Sequence, residues 1–397
     1  MRSMGMNLAK CGICAGAGWW ALRNVSLSAF TGSWQAADPV LLAAAAGIFL
    51  LTPILQGVRL RRLLAVEGMS LGLSESVHLA FAGNFVNFAV PLGSTTGDVY
   101  KAAVLGRTTR RTAEAAAVTM VDRAIGFGTL LISVTLLVVA GGPGSPLAPL
   151  RGALIGGSAG ALAAATFLAL SPAEGWPLAG RFLAAKGHSG RLRAARAALE
   201  RGLASARRVL RRPDALAMAV LDTLGIQVAA TASFLLAAVA LGFEIPVGEY
   251  GRLYAFFSAG EMVKAMPGPP QGMGTLEAAY GVFFRGWASP AAIVSAAVAI
   301  RGINLVCSLP GAPLAVRHLR SSTVAEIEAK KPVAAHPHVL SPVAGPSRAA
   351  LRAPAMDPGP LGEARIPLFV AAGRTFERTS TAEALVHSIT VAGSHRR

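Results

Sequence analysis

The sequence predicts an all-α integral membrane protein of about six spanning helices and two re-entrant helical hairpins, in an order that suggests an inverted repeat. Three observations carry this. First, 53% of the 397 residues are hydrophobic and only 14% are charged, which is too apolar for an ordinary soluble chain of this length. Second, residues 39–58, 124–139, 152–173 and 223–243 contain no Asp, Glu, Lys or Arg. Crossing the hydrocarbon core takes roughly 20 mostly uncharged helical residues, because the helix must satisfy its own backbone polar groups there. Third, the net charge of +17 comes largely from Lys and Arg between the apolar runs, the membrane pattern rather than a nucleic-acid-binding one.

The elements follow in order. A first span, residues 11–30, is interrupted by Arg23 and Asn24 and is required by the topology. Its polar start at Lys10 and the lack of a small-residue cleavage site do not read as a cleaved signal. A second span, 40–58, ends at Arg59, Arg61 and Arg62, which places that end in the cytoplasm. Residues 76–105 are broken by Asn84, Asn87, Pro91, Gly93 and Gly97, and Lys101, Arg107, Arg110 and Arg111 follow. With basic residues on both flanks the segment is expected to dip in and return, a form allowed where protein or water shields the broken backbone.

A third span, 115–140, runs outward to Gly141-Gly142-Pro143-Gly144, and a fourth, 153–170, returns. Residues 181–212 are rich in arginine, with Leu192, Leu199, Leu203 and Leu210 near helical spacing. They read as an amphipathic helix on the cytoplasmic leaflet, each arginine near anionic lipid worth about 1 kcal/mol, or as a solvated orientation signal. A fifth span, 216–241, leads to an acidic outer loop with Glu244 and Glu249. Residues 254–284 repeat the hairpin pattern around Pro267-Gly268-Pro269-Pro270, and the last span, 290–316, carries Arg301 and ends at Arg317 and Arg320.

Residues 1–320 thus form the membrane domain, with halves 1–142 and 150–320, and 321–397 read as a disordered cytoplasmic tail. Both termini are expected in the cytoplasm and the protein in the plasma membrane. Each half has an odd number of crossings, so the second is inverted and its hairpin enters from the other face. In transporters so built, the substrate site lies where the breaks meet.

An ionised side chain near the bilayer centre costs at least ~2.5 kcal/mol and is tolerated where it faces a partner or a polar interior. The candidate ligand-binding residues are therefore Asn84, Asn87, Gly97, Asp98 and Lys101 of the first hairpin, and Asp122 and Arg123 of the third span. Glu261, Lys264, Gly272, Gly274 and Glu277 of the second hairpin and Arg301 of the last span complete the set. A helix break followed by a half-helix exposes N–H groups that, with a nearby Lys or Arg, can hold a phosphate. The alternative is ion pairing that only locks hairpins to spans. No cofactor or metal is expected: His-Glu-x-x-His and phosphate-loop motifs are absent, and Cys11-x-x-Cys14 lacks a second ligand pair.

Arg61-Arg62-Leu63-Leu64, Gly83-Asn84-Phe85-Val86-Asn87, Gly97-Asp98-Val99-Tyr100-Lys101, Val121-Asp122-Arg123 and Pro267-Gly268-Pro269 with Gly272-x-Gly274-x-x-Glu277 occur in this order. In these segments the chain resembles the lysylphosphatidylglycerol synthetase transmembrane family, also called the flippase-like domain family. It has Lys101 where the family usually has Arg and Asp122 where Glu is usual, and it lacks an Arg between Pro91 and Gly97. The resemblance implies lipid translocation or a membrane platform for lipid modification. The soluble transferase domain of fused members is not expected in the short tail, so lysyl transfer is not expected of this chain alone.

The expected function is binding, and translocation, of an anionic lipid or polyprenyl-phosphate headgroup between the hairpins, with anionic membrane lipids as partners and no nucleic acid. The rival is a non-transporting membrane partner for a separate glycosyl- or aminoacyl-transferase. An intramembrane enzyme using Asp98 or Glu261 is the weakest reading, since no acid and nucleophile pair.

Overall fold

The computed structural model describes residues 25–89, 95–141, 146–171, 190–265 and 272–318, and these are almost entirely helical. In chain order the helices are α1 (Leu27–Gln35), α2 (Pro39–Phe49), α3 (Leu51–Val66), α4 (Leu73–Ala89), α5 (Thr96–Thr109), α6 (Thr112–Ala140) and α7 (Arg151–Leu170). There follow α8 (Gly190–Leu210), α9 (Pro213–Ala240), α10 (Tyr250–Ala265), α11 (Thr275–Phe283) and α12 (Pro290–Ser308). The expected tail, Cys11 and Cys14, and residues 11–24 of the first expected span lie outside the described residues.

Among the described residues, five helical stretches are long and apolar enough to cross a membrane: Pro39–Val66, Thr112–Ala140, Ala148–Leu170, Pro213–Ala240 and Pro290–His318. The protein is a multi-pass membrane protein. The starts of these helices are written in the sequence. Asp38 caps α2, its Oδ1 accepting from Val40 N at 2.8 Å, with Pro39 at the first helical position where its missing N–H costs nothing. Ser289 and Pro290 repeat the device at α12, where Ser289 Oγ accepts from Ala292 N at 3.2 Å.

The α4–α5 and α10–α11 pairs are shorter. At about 1.5 Å per residue, the 14 residues of α5 and the 9 of α11 fall well below the roughly 30 Å hydrocarbon core. Within each pair the two arms pack on one another. A Cβ on Gly97 of α5 would overlap the carbonyl of Gly83 on α4, so the first pair can close only with glycine there.

The α2–α3 rod runs antiparallel to α9. Asp38 N donates to Ala240 O (3.2 Å) and Ser233 Oγ to Ala45 O (2.8 Å) at one end, while Arg62 pairs with Asp222 (2.6 Å) at the other. Ala45, Ala229, Ala237 and Ala238 are buried, the small residues that let membrane helices approach closely. Beside them Phe234 contacts Phe257 of α10 at a ring distance of 5.0 Å, and Tyr280 of α11 at 5.3 Å. This aromatic cluster anchors the second hairpin to α9.

Two expectations need correction. The span that begins at residue 40 was expected to end before Arg59 in a cytoplasmic loop, but the helix continues to Val66 and Arg59 is only 7% exposed. A guanidinium can lie inside the bundle because Asp122 meets it. The arginine-rich helix α8 does not merely rest on a leaflet: it packs against α6 and α7, with Ala206 and Val209 buried. Its Arg208 binds both carboxylate oxygens of Glu67 (3.0 and 2.7 Å), and Arg211 donates to Ala169 O (2.6 Å) and Ser171 O (3.0 Å) at the end of α7. Leu199 stays half exposed, as the amphipathic reading expects.

Candidate functional site

The charges that the sequence scatters over four segments converge on one cavity of about 310 Å³. Asn84, Asn87, Asp98, Lys101, Asp122, Arg123, Glu261, Lys264 and Arg301 all line it. The remaining candidates stand immediately behind. Gly97 N donates to Asn87 Oδ1 at 2.7 Å, Gly272 O accepts from Arg301 Nη2 at 3.1 Å, and Gly274 N donates to Glu277 Oε2 at 2.9 Å. Gly272 and Gly274 have φ of +63° and +81°, a backbone that favours glycine and that starts α11 beneath the cavity.

Ion pairing follows a pattern in the two hairpins. Asp98 is the third residue of α5 and pairs with Arg123, 25 residues on in α6; Glu277 is the third residue of α11 and pairs with Arg301, 24 residues on in α12. In each, the carboxylate sits in the first turn, where the helix dipole favours negative charge. The hairpins differ on their first arms, where Asn84 and Asn87 lie at the spacing of Glu261 and Lys264. Asn84 Nδ2 donates to Gln56 Oε1 (3.1 Å), whereas Glu261 and Lys264 pair with each other at 2.5 Å.

Asp98 carries more than one partner. Lys101 Nζ lies 2.8 Å from its Oδ1, while Arg123 binds its Oδ2. Beside them Asp122 receives Arg59 through Nε (2.7 Å) and Nη2 (3.2 Å), and Arg59 Nη1 donates to Thr223 Oγ1 on α9 (2.8 Å). Five cations thus line the cavity, Arg59, Lys101, Arg123, Lys264 and Arg301, against Asp98, Asp122 and Glu261, with Glu277 behind Arg301. Among the described residues the sum is one positive charge, and one carboxylate, Asp98, serves two of the cations.

The other wall is apolar. Phe88, Phe127, Leu130, Ile226, Phe257 and Ile300 are among its lining residues. Phe127 is 41% exposed and Met120 50%, so this face of α6 looks both into the cavity and out of the bundle. Arg123, between them on the helix, has a side chain 28% exposed.

The family described as the lysylphosphatidylglycerol synthase TM region matches residues 7–311, more than three quarters of the chain. The chain belongs to this family. A search of curated proteins finds no match. The lysylphosphatidylglycerol synthase TM region covers both hairpins and every residue of the cavity, so the site lies wholly within the shared part. Membership makes this a lipid-related, flippase-like membrane protein.

Reading the sequence missed Arg59, Gln56 and Thr223. Arg59 stood at the edge of an apolar run and looked like a loop residue. Its partner Asp122 is 63 residues away, and only the antiparallel packing of α3 brings the two together. Gln56 and Thr223 are uncharged, and nothing in an apolar run marks one polar residue as facing inward.

Proposed function

We propose that the protein binds the anionic headgroup of a membrane lipid in this cavity and carries it between leaflets, the lipid tails remaining in the bilayer beside α6. The single observation behind this is the net positive charge of the described cavity lining, in which Asp98 is shared by Lys101 and Arg123, set against apolar residues such as Phe127 that reach the outer face of the bundle. A phosphate monoester or diester supplies the missing negative charge, and Arg and Lys are the side chains suited to it. The exposed Phe127 gives an acyl or polyprenyl chain an apolar path out of the same space.

In this reading the phosphate displaces Asp98 from one of its two cations. Binding thereby exchanges one charge-assisted contact for another instead of leaving a cation bare. In the proposed inverted repeat the hairpins enter from opposite faces, the arrangement that lets a central site face either side in turn. Anionic lipid is then the substrate, the plasma membrane the location, and the cytoplasm the side of the arginine-rich ends.

The test is lipid retention. The wild-type chain purified in mild detergent retains phosphatidic acid in preference to phosphatidylcholine, and Lys101→Gln lowers that retention about tenfold while melting within a few degrees of wild type. Retention unchanged by Lys101→Gln in a folded protein would remove this cavity as the anion site. Retention without transfer between leaflets would favour the role of a membrane partner to a separate lipid-modifying transferase.

A further inference from the structure

The cavity continues into a branch of about 200 Å³ lined by α3, α6, α9 and α10. Its wall shares Gln56, Arg59 and Glu261 with the charged chamber and adds Thr223, Gln227 and Ser258. Thr52 and Gln56 stand one turn apart on α3, and Thr223 and Gln227 one turn apart on α9. Two helices that pack antiparallel therefore present uncharged polar rows toward the same space.

Most of these groups are engaged. Gln56 Oε1 accepts from Asn84, Thr223 Oγ1 accepts from Arg59 and donates to Ala219 O (2.6 Å), and Gln227 Oε1 accepts from Tyr254. Two polar atoms of these uncharged rows have no partner among the described residues: Nε2 of Gln227 and Oγ1 of Thr52, on residues 7% and 2% exposed. A buried donor left without a partner costs roughly 1–3 kcal/mol, so each of these atoms calls for a partner that enters the cavity. One lines the branch and the other the chamber beside it.

The chemistry of this pair is specific. An amide N–H and a hydroxyl carry no net charge and suit hydroxyl groups. An amine would instead call for an available carboxylate, and the two nearest are already matched, Asp122 by Arg59 and Glu261 by Lys264 at 2.5 Å. We infer that Gln227 and Thr52 bind the uncharged, hydroxyl-bearing part of a headgroup whose phosphate sits at Lys101 and Arg123, so that the protein favours polyol or sugar phosphate lipids over amine headgroups. The inference rests on the reading of the charged chamber as the phosphate site, and its test is built so that the two can fail separately.

The full-length chain is titrated with phosphatidylinositol, phosphatidic acid and phosphatidylethanolamine of one acyl composition, with and without Gln227→Met and Thr52→Val together. Both substitutions keep side-chain shape and remove only polar atoms. The expected result is phosphatidylinositol affinity about tenfold weaker in the variant, phosphatidic acid affinity unchanged, and phosphatidylethanolamine the weakest ligand throughout. If the double variant does not fold, Thr52→Val alone is read the same way, with a loss of about threefold. Phosphatidylinositol binding unaffected by the substitutions, or both anionic lipids weakened equally, would overturn the inference and leave the branch a place for water. Tightest binding of phosphatidylethanolamine would overturn it too. Free inositol 1-phosphate binding as tightly as the lipid would make the ligand a soluble ester and refute the lipid assignment. If no anionic lipid binds and Lys101→Gln changes nothing, it is the chamber reading that fails.

Discussion

Arg301 shows how an intramembrane charge is held. Both its terminal nitrogens reach Glu277, the second at 2.9 Å, and Nη2 also donates to Gly272 O. With side chains 15% and 11% exposed, both ions are largely shielded from solvent. Removing one partner of a buried pair typically costs about 3–5 kcal/mol, because the other is left unmatched, whereas removing both is far milder. Arg301→Gln should therefore lower the melting temperature sharply, and Glu277→Gln added to it should restore most of the loss; a double variant as unstable as the single one would show that the pair is not the source of the cost. Of the residues around the cavity, the charged ones other than Arg59 were legible in the sequence, since a charge in an apolar run is conspicuous. Gln227 and Thr52 were not, because uncharged polar residues cost less in such a run and carry no spacing signal.

At the scale of elements, the apolar runs predicted the spans to within a few residues where the helices begin with a recognisable cap, as at Asp38 and Ser289. The exception was the end of α3, where a charged residue was taken to end a helix that in fact carries it inside. Helix α8 was legible from its arginines and spaced leucines, but not its docking, which depends on Glu67. That carboxylate has a fully buried side chain and receives Arg208 and Arg111, the latter also donating to Glu67 O at 2.8 Å. It ties the end of α3 to α8 and to the α5–α6 corner, where Arg110 adopts a positive φ of 56°. Glu67→Gln takes the paired carboxylate from Arg208 and leaves Arg111 only Glu114, at 3.9 Å. Amide hydrogen exchange across residues 193–210 should quicken at least tenfold in that variant, with exchange in α9 and α12 unaltered; protection of α8 equal to wild type would mean that its apolar contacts suffice.

The molecule as a whole is read as two oppositely directed halves meeting at one cavity, with the arginine-rich ends in the cytoplasm. This orientation predicts that a cysteine at Val247, 95% exposed, is modified by an impermeant reagent from outside, and that one at the exposed Arg201 is not. The reverse pattern would invert the topology. The central claim is that the cavity moves an anionic lipid, and leaflet exchange tests it most directly. Purified protein in phosphatidylcholine liposomes, with a trace of fluorescent phosphatidic acid, is assayed by the fraction of label reached by an impermeant quencher. Wild-type protein should bring inner-leaflet label to the quencher at least tenfold faster than empty liposomes do, and Lys101→Gln should remove most of that gain. Exchange no faster than in empty liposomes, or equally fast in folded Lys101→Gln protein, would contradict the account.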